Sequence, residues 1–324
     1  MAPIGIGLIG LGRHGMRYAQ HLQEFASDAT LVAVSRRDVI QGAAFAAEHG
    51  FRFHHDYHAL IVDPDVEAII VVTPPVLTSS ICMAAIQAKK PLLIEKPLAC
   101  TGAVAKAIAE AAETAGVPLM TAHTLRFDSA IQALKTEVSK AGQAHYLALT
   151  YRLEQNTVVR KNPADYEQRG IVLEIGTHLF DLIRYLTEDE VVEVRCELDR
   201  LRLENTESRA LVSLRTRGHL ACIIDVSRVS TGRVSRVEWI GSQAHIYADW
   251  VQHRLRRIGR EPRVDEWSVP PGHTVAETIR AFLTALKRSG PMPITGWDGY
   301  KAVAIADACY EAAATGKAVQ LPAS

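Results

Sequence analysis

The stretch "IGIGLIGLGRHG", residues 4–15, decides the fold. Its first half is a short apolar run containing Ile4, Ile6, Leu8 and Ile9, the pattern of a buried strand. Its second half sets Gly10, Gly12 and Gly15 in the spacing G-x-G-x-x-G, at the start of a helical pattern over residues 13–26. Glycines so spaced let the chain turn tightly and let the backbone approach a pyrophosphate, whose charge is held by the N-terminal amides of the helix. Arg13 and His14, inside the turn, join the glycines as candidate contacts to the same ligand. A glycine-rich turn with no ligand is the competing reading, so the surrounding pattern matters.

That pattern alternates. Apolar runs at 4–10, 30–35, 68–73, 91–95 and 118–122 are separated by helical segments at 13–26, 38–49, 76–88 and 101–115. Continuous apolar strands between helices are what a parallel sheet covered on both faces requires. Right-handed crossovers then make a doubly wound α/β domain of the Rossmann type over residues 1–121, with ligands at the carboxyl ends of the strands. Residues 122–324 have another texture. Helical "SAIQALKTEVSKA" leads to a strand at 144–152, an irregular polar segment at 153–169 and a helix at about 171–186. The strands "VVEVRCEL", "ESRALVSLRT", "LACIIDVSRV", "RVEWIGS" and "AHIYAD" follow, then helices at 275–289 and 298–315. The alternation in "ALVSLRT" points to an α+β domain with a large open, mainly antiparallel sheet.

The bulk numbers agree with two domains and narrow the partners. A chain of 324 residues is too long for one core at roughly 150 residues per domain. Its 36 basic and 36 acidic residues cancel, which advertises neither a nucleic-acid nor an anionic-membrane partner. No run approaches the roughly 20 apolar residues of a membrane span, and the glycine-broken opening lacks the basic leader of a signal peptide. The five cysteines are scattered without C-x-x-C spacing, so we expect no disulfide framework, no thiolate metal site and a reducing, cytoplasmic setting. "HHDYH", residues 54–58, lies in a connection and has no separate carboxylate or cysteine partner in view, so no metal is expected there either.

Four further stretches carry chemistry. In "VAVSRRD", at the end of the second strand, Ser35, Arg36 and Arg37 stand where an acidic residue would bind the ribose 2′-hydroxyl of NAD. A hydroxyl and two guanidiniums suit a 2′-phosphate, which favours NADP, with NAD possible. The alternative is that both arginines are solvated and Asp38 is the ribose ligand. In "VVTPP", Thr73 and Pro74 end the third strand, either as a stiff turn or as a wall beside the nicotinamide. In "PLLIEKPLAC", Glu95 and Lys96 directly precede Pro97, as a solvated strand end or as part of a site. In "EIGTHLFD", Glu174, His178, Asp181 and Tyr185 share one helical face, opposite Ile171, Ile175, Leu179, Leu182 and Leu186. That face is either a solvated stripe or a proton-transfer histidine held in one tautomer by a carboxylate.

Together with "HTLRF" and the ending "GYKAVAIADACYEAAATGKAV", these motifs resemble the Gfo/Idh/MocA family of nicotinamide-dependent oxidoreductases over nearly the whole chain. The resemblance implies that Lys96 lies beside the nicotinamide and the reacting carbon, with a cis bond to Pro97 and Glu95 at the cofactor. It implies that His178 is the catalytic histidine and Glu174 its acid partner, in the place of a usual aspartate. Arg126 matches a substrate contact, and Asn156 matches another more loosely. Three departures stand out: Glu174 is one methylene longer than aspartate, the glycine run before it is reduced to "RGIVL", and Thr78 replaces a usual histidine.

The implied activity is hydride transfer between nicotinamide and a secondary alcohol or ketone carbon of a sugar or polyol. His178 exchanges the proton, Lys96 polarises the oxygen and Glu174 orients His178. The family also contains dihydrodiol and bilin reductases and non-catalytic dinucleotide sensors, which leaves those as alternatives. An open sheet face commonly buries itself against a partner, and the resemblance likewise implies a homodimer or homotetramer.

Overall fold

The structure, a computed structural model, describes residues 2–154, 166–201, 206–260 and 263–322. The chain divides into two units, Met1–Thr124 with Thr274–Tyr300, and Leu125–His273 with Lys301–Ser324.

The first unit is built on six parallel strands in the order β3-β2-β1-β4-β5-β6. They are β1 (Ile4–Ile9), β2 (Ala29–Ser35), β3 (Arg52–His54), β4 (Ala68–Val71), β5 (Leu92–Glu95) and β6 (Leu119–Ala122). The central strands are apolar throughout because helices cover both faces: Ile6, Leu8, Ile69, Ile70, Leu92 and Leu93 have no exposed surface. The helices are α1 (Arg13–Glu24), α2 (Val39–His49), α3 (Tyr57–Ile61), α4 (Thr78–Gln87) and α5 (Gly102–Ala115). Asp38 caps α2 by accepting from the amide of Gln41 at 3.0 Å, and Thr101 caps α5 through the amide of Val104. The sequence pattern misses β3, because an edge strand of three residues needs little apolar content. Its Arg52 and His54 instead reach Asp63, at 2.7 and 2.9 Å. "HHDYH" therefore begins in a strand and continues into α3, whose start is capped by Asp56.

The second unit begins with α6 (Ser129–Val138), capped by Asp128, and β7 (Ala144–Glu154). A π turn at Val172–Gly176 leads into α7 (Thr177–Thr187). Then come β8 (Val191–Asp199), β9 (Arg209–Thr216), β10 (Ala221–Ser230), β11 (Val234–Gly241), β12 (Ala244–Asp249), β13 (Arg254–Gly259) and β14 (Val264–Ser268). With β15 (Val319–Gln320) they form a nine-stranded sheet in the order β14-β13-β12-β11-β7-β10-β9-β8-β15. Every pairing is antiparallel except β10 with β7. One face is covered, which is why Cys222, Ile224 and Val226 of β10 are buried while the intervening Ile223 is 41% exposed. The hairpin β13–β14 is absent from the sequence reading because arginines and acids fill it. They pair across the strands, Arg256 opposite Glu266 and Arg257 opposite Asp265.

The chain then supplies α8 (Thr274–Arg288) and α9 (Gly296–Thr315), and the division between the units falls inside α9. In place of one cut near residue 121, the first unit is discontinuous, since α8 packs on α1. Arg280 lies over the Phe25 ring at 5.3 Å, and Lys287 pairs with Asp28. Among the described residues no helix is long and apolar enough to cross a membrane.

Candidate active site

The parallel sheet aligns the carboxyl ends of four neighbouring strands. Ile9 is in register with Ser35 on one side and Val71 on the other, and Val71 with Ile94. Gly10 donates its amide to the carbonyl of Ser35 at 2.9 Å, and Val72 donates to Ile9 at 2.8 Å. The strand order reverses between β1 and β4, the switch point at which such sheets bind ligands. The Gly10–Gly15 turn, Ser35, Thr73 and the Glu95–Lys96 pair thus come to one rim.

The three glycines meet different demands. A Cβ on Gly15 would stand 1.9 Å from the carbonyl oxygen of Gly10, and Gly10 itself has φ +98°. Both are dictated by the turn. A Cβ on Gly12 would meet nothing within 4 Å. Gly12 is also the N-cap of α1, supplies no side-chain cap, and is followed by no acidic residue in the first turn. Open space and amides without a side-chain cap fit a pyrophosphate. The buried Oγ1 of Thr73 has no hydrogen-bond partner among the described residues, which also fits a polar ligand at this rim.

Ser35 is buried at the end of β2, Arg36 is half-buried and Arg37 is exposed. The Arg36 guanidinium donates from Nη2 to Oε1 of Gln41 at 2.5 Å. Asp38, the alternative ribose ligand, is occupied as the cap of α2.

At the end of β5 the Glu95 carboxylate accepts from Tyr18 at 2.6 Å, bonds to Nε2 of His14 at 2.7 Å, and accepts from the Lys96 amide at 3.1 Å. Burial raises this carboxyl, but His14, the Lys96 charge and Tyr18 outweigh it and hold it below its usual range. Burial and then the Glu95 charge push the Tyr18 hydroxyl well up. Tyr18 escapes the sequence reading; its only signal is its place one turn after His14 on α1. The Lys96–Pro97 peptide is cis.

In the second unit, Glu174 lies within the π turn and His178 in the first turn of α7; such turns interrupt helices frequently at functional sites. Ile171, Leu179, Leu182 and Leu186 are buried, so the apolar face read from the sequence is the packed one. The opposite face is not a solvated stripe. Asp181 is 1% exposed and accepts from Nε and Nη2 of Arg126 at 2.8 and 2.6 Å, a bidentate pair. Arg126 also lies 5.4 Å from the Tyr185 ring centroid. Glu174 accepts from Nη2 of Arg228, on β10, at 2.5 Å. Arg228 has no motif around it and escapes the sequence reading. Asn156 lies outside the described residues.

Residues 4–123 match the Gfo/Idh/MocA model described as an oxidoreductase family with an NAD-binding Rossmann fold, and residues 131–247 match the family's C-terminal domain. The chain is 30% identical to a myo-inositol 2-dehydrogenase of Thermotoga maritima, over 98% of both chains. It is 28% identical to an inositol 2-dehydrogenase of Acidothermus cellulolyticus, over 98% of this chain and 94% of the other. The crystal structure of a probable dehydrogenase from Thermotoga maritima superposes with a TM-score of 0.84 at 28% identity, covering 98% of each chain. A glycine turn on an aligned parallel rim, a Glu-Lys-Pro strand end and full-length likeness to these dehydrogenases agree: the chain is an NAD(P)-dependent oxidoreductase and belongs to the Gfo/Idh/MocA family.

Proposed function

We propose that the protein moves a hydride between a nicotinamide dinucleotide, NADP in preference to NAD, and a secondary alcohol or ketone carbon of a sugar or polyol. The observation that carries the reading is the aligned rim, which gathers the Gly12 cradle, Ser35 and Lys96 at neighbouring strand ends. The relatives' names support the polyol class. A bound dinucleotide supplies the hydride donor or acceptor; this chain's residues supply alignment and proton transfer.

Gly10, Gly12, Arg13, His14 and Gly15 hold the pyrophosphate side, with Thr73 and Pro74 walling the nicotinamide side. Ser35, Arg36 and Arg37 would hold the 2′-phosphate, with the Arg36 guanidinium, which donates to Gln41, supplying charge-assisted hydrogen bonds. Lys96 polarises the substrate oxygen, His178 takes its proton in oxidation and returns one in reduction, and Glu174 orients His178. Arg126, fixed by Asp181, and Asn156 contact the substrate. The open face of the second sheet, where Ile223 pairs in register with Ala148, supports assembly as a homodimer or homotetramer. Five cysteines outside any disulfide suit the cytoplasm.

The test is an assay of the protein with NADP and NAD across inositols, sugars, keto-sugars and simple diketones. Polyol oxidation with a lower KM for NADP supports the reading. Turnover confined to non-carbohydrate ketones overturns the substrate class, and the absence of both NADP or NAD reduction by any alcohol and NADPH or NADH oxidation by any ketone overturns the catalytic one.

A further inference from the structure

We infer that Glu207 is a positioning residue for Glu174 and His178: its buried carboxylate anchors the N-terminal end of the helix that carries both. The catalytic half of this inference rests on the function proposed above.

Glu207 precedes β9 and is 5% exposed. Its Oε1 accepts from the amides of Gly170 at 2.9 Å and Val172 at 3.1 Å, and from the hydroxyl of Tyr310 at 2.7 Å. Its Oε2 accepts a second time from Gly170, at 3.1 Å, and its own carbonyl accepts from Ile171 at 3.2 Å. Three consecutive amides therefore end on one residue. The first amides of a helix have no partner within it, and here the helix proceeds at once into a π turn, whose hydrogen-bond ladder is irregular. A fixed negative charge at this end also complements the helix dipole.

The approach is close. A Cβ on Gly170 would stand 2.4 Å from the Glu207 carbonyl oxygen, so glycine is what lets the two backbones meet. Behind the carboxylate, Tyr310 of α9 is held in turn: Arg169 lies 4.9 Å from its ring centroid and pairs with Asp307. A buried polar network satisfied in this way rigidifies the element it holds.

The lever is short. His178 lies eight residues beyond Gly170, about 12 Å of helix at 1.5 Å per residue, so a tilt of about 10° at the anchor displaces it by about 2 Å. Misplacement of a reacting group by about 1 Å costs on the order of a hundredfold in rate. Glu207 thus acts through Glu174 and His178 and is assigned no contact with substrate or cofactor.

The intact protein is compared with Glu207→Gln, Glu207→Ala and Tyr310→Phe, by amide hydrogen exchange over residues 166–176 and by steady-state kinetics on a polyol with NADP. Glu207→Ala should unprotect the amides of Gly170 and Val172, which end on the carboxylate, and lower kcat about a hundredfold, with Tyr310→Phe near tenfold, while cofactor affinity stays at the wild-type value. Glu207→Gln, which keeps an acceptor oxygen, should restore most of the protection and of kcat. A folded Glu207→Ala protein with wild-type exchange and kcat overturns the anchor. If that variant does not fold, wild-type exchange and kcat in Tyr310→Phe overturn it instead. A wild-type protein inactive on every polyol, together with raised exchange in the variants, overturns the proposed function and leaves the anchor standing.

Discussion

Arg228 donates to Glu174 at 2.5 Å, so the acid of the candidate site is held by strand β10 as well as by its own helix. The extra methylene of glutamate over aspartate supplies reach toward that partner. Glu174→Asp, although it restores the residue usual in the family, should therefore lower kcat/KM by about tenfold, as should Arg228→Met. Because both changes break one bridge, the double variant should lose far less than the sum. A double-mutant cycle on kcat/KM checks this, and additive losses would refute the coupling.

Lys96→Met and His178→Ala should each lower kcat by roughly a hundredfold while the dinucleotide still binds. Fluorescence titration with NADPH and steady-state assays separate the two effects. Wild-type turnover in both variants would sink the assignment of the chemistry.

Gly12→Ala and Gly15→Ala should fail in different ways. A methyl at Gly12 meets open space, so the variant should melt like the wild type yet bind the dinucleotide at least about tenfold more weakly, because the methyl occupies the pyrophosphate's approach. A methyl at Gly15 meets the Gly10 carbonyl at 1.9 Å and should destabilise the fold itself by about 1–3 kcal/mol. Thermal melts with and without NADPH distinguish the two.

Arg36→Asp should weaken NADPH far more than NADH, since it removes a guanidinium and places a carboxylate against a 2′-phosphate. Equal losses for the two dinucleotides in parallel titrations would remove Arg36 from the phosphate site.

Asp63 gives the first unit an acid-labile tie. Burial raises its carboxyl, but the bonds from Arg52 and His54 outweigh burial and lower it from an ordinary 3.8 to about 2. A carboxyl depressed in the folded state stabilises the fold above its ordinary value, and that stability is lost as pH falls toward 2. The shift corresponds to about 2 kcal/mol at neutral pH. Asp63→Asn should therefore melt earlier than the wild type at pH 7, and the gap should close between pH 4 and pH 2. A gap that stays constant over that range would show that Asp63 contributes no linkage.

What is local and periodic is legible in the chain alone. The apolar runs, the glycine spacing and the cofactor rim follow from short-range rules, because a buried parallel strand must be apolar throughout and a tight phosphate turn must be glycine-rich. The helix with Glu174 and His178 was legible for the same reason, its packed face repeating at the helical period. The pairings around it come from long-range contacts. Arg228 lies 54 residues from Glu174, Arg126 lies 55 from Asp181 and Glu207 lies 37 from Gly170. A charge on a strand or loop reads as solvated until its neighbour is known, and the neighbour depends on which strands pair, as with β10 beside β7. The same holds for β3, β13 and β14, whose polar residues are accommodated because an edge or single-faced strand buries little. Local periodicity carries the fold and the rim; the charged partners around Glu174 and Asp181 are set by contacts between segments far apart in the chain.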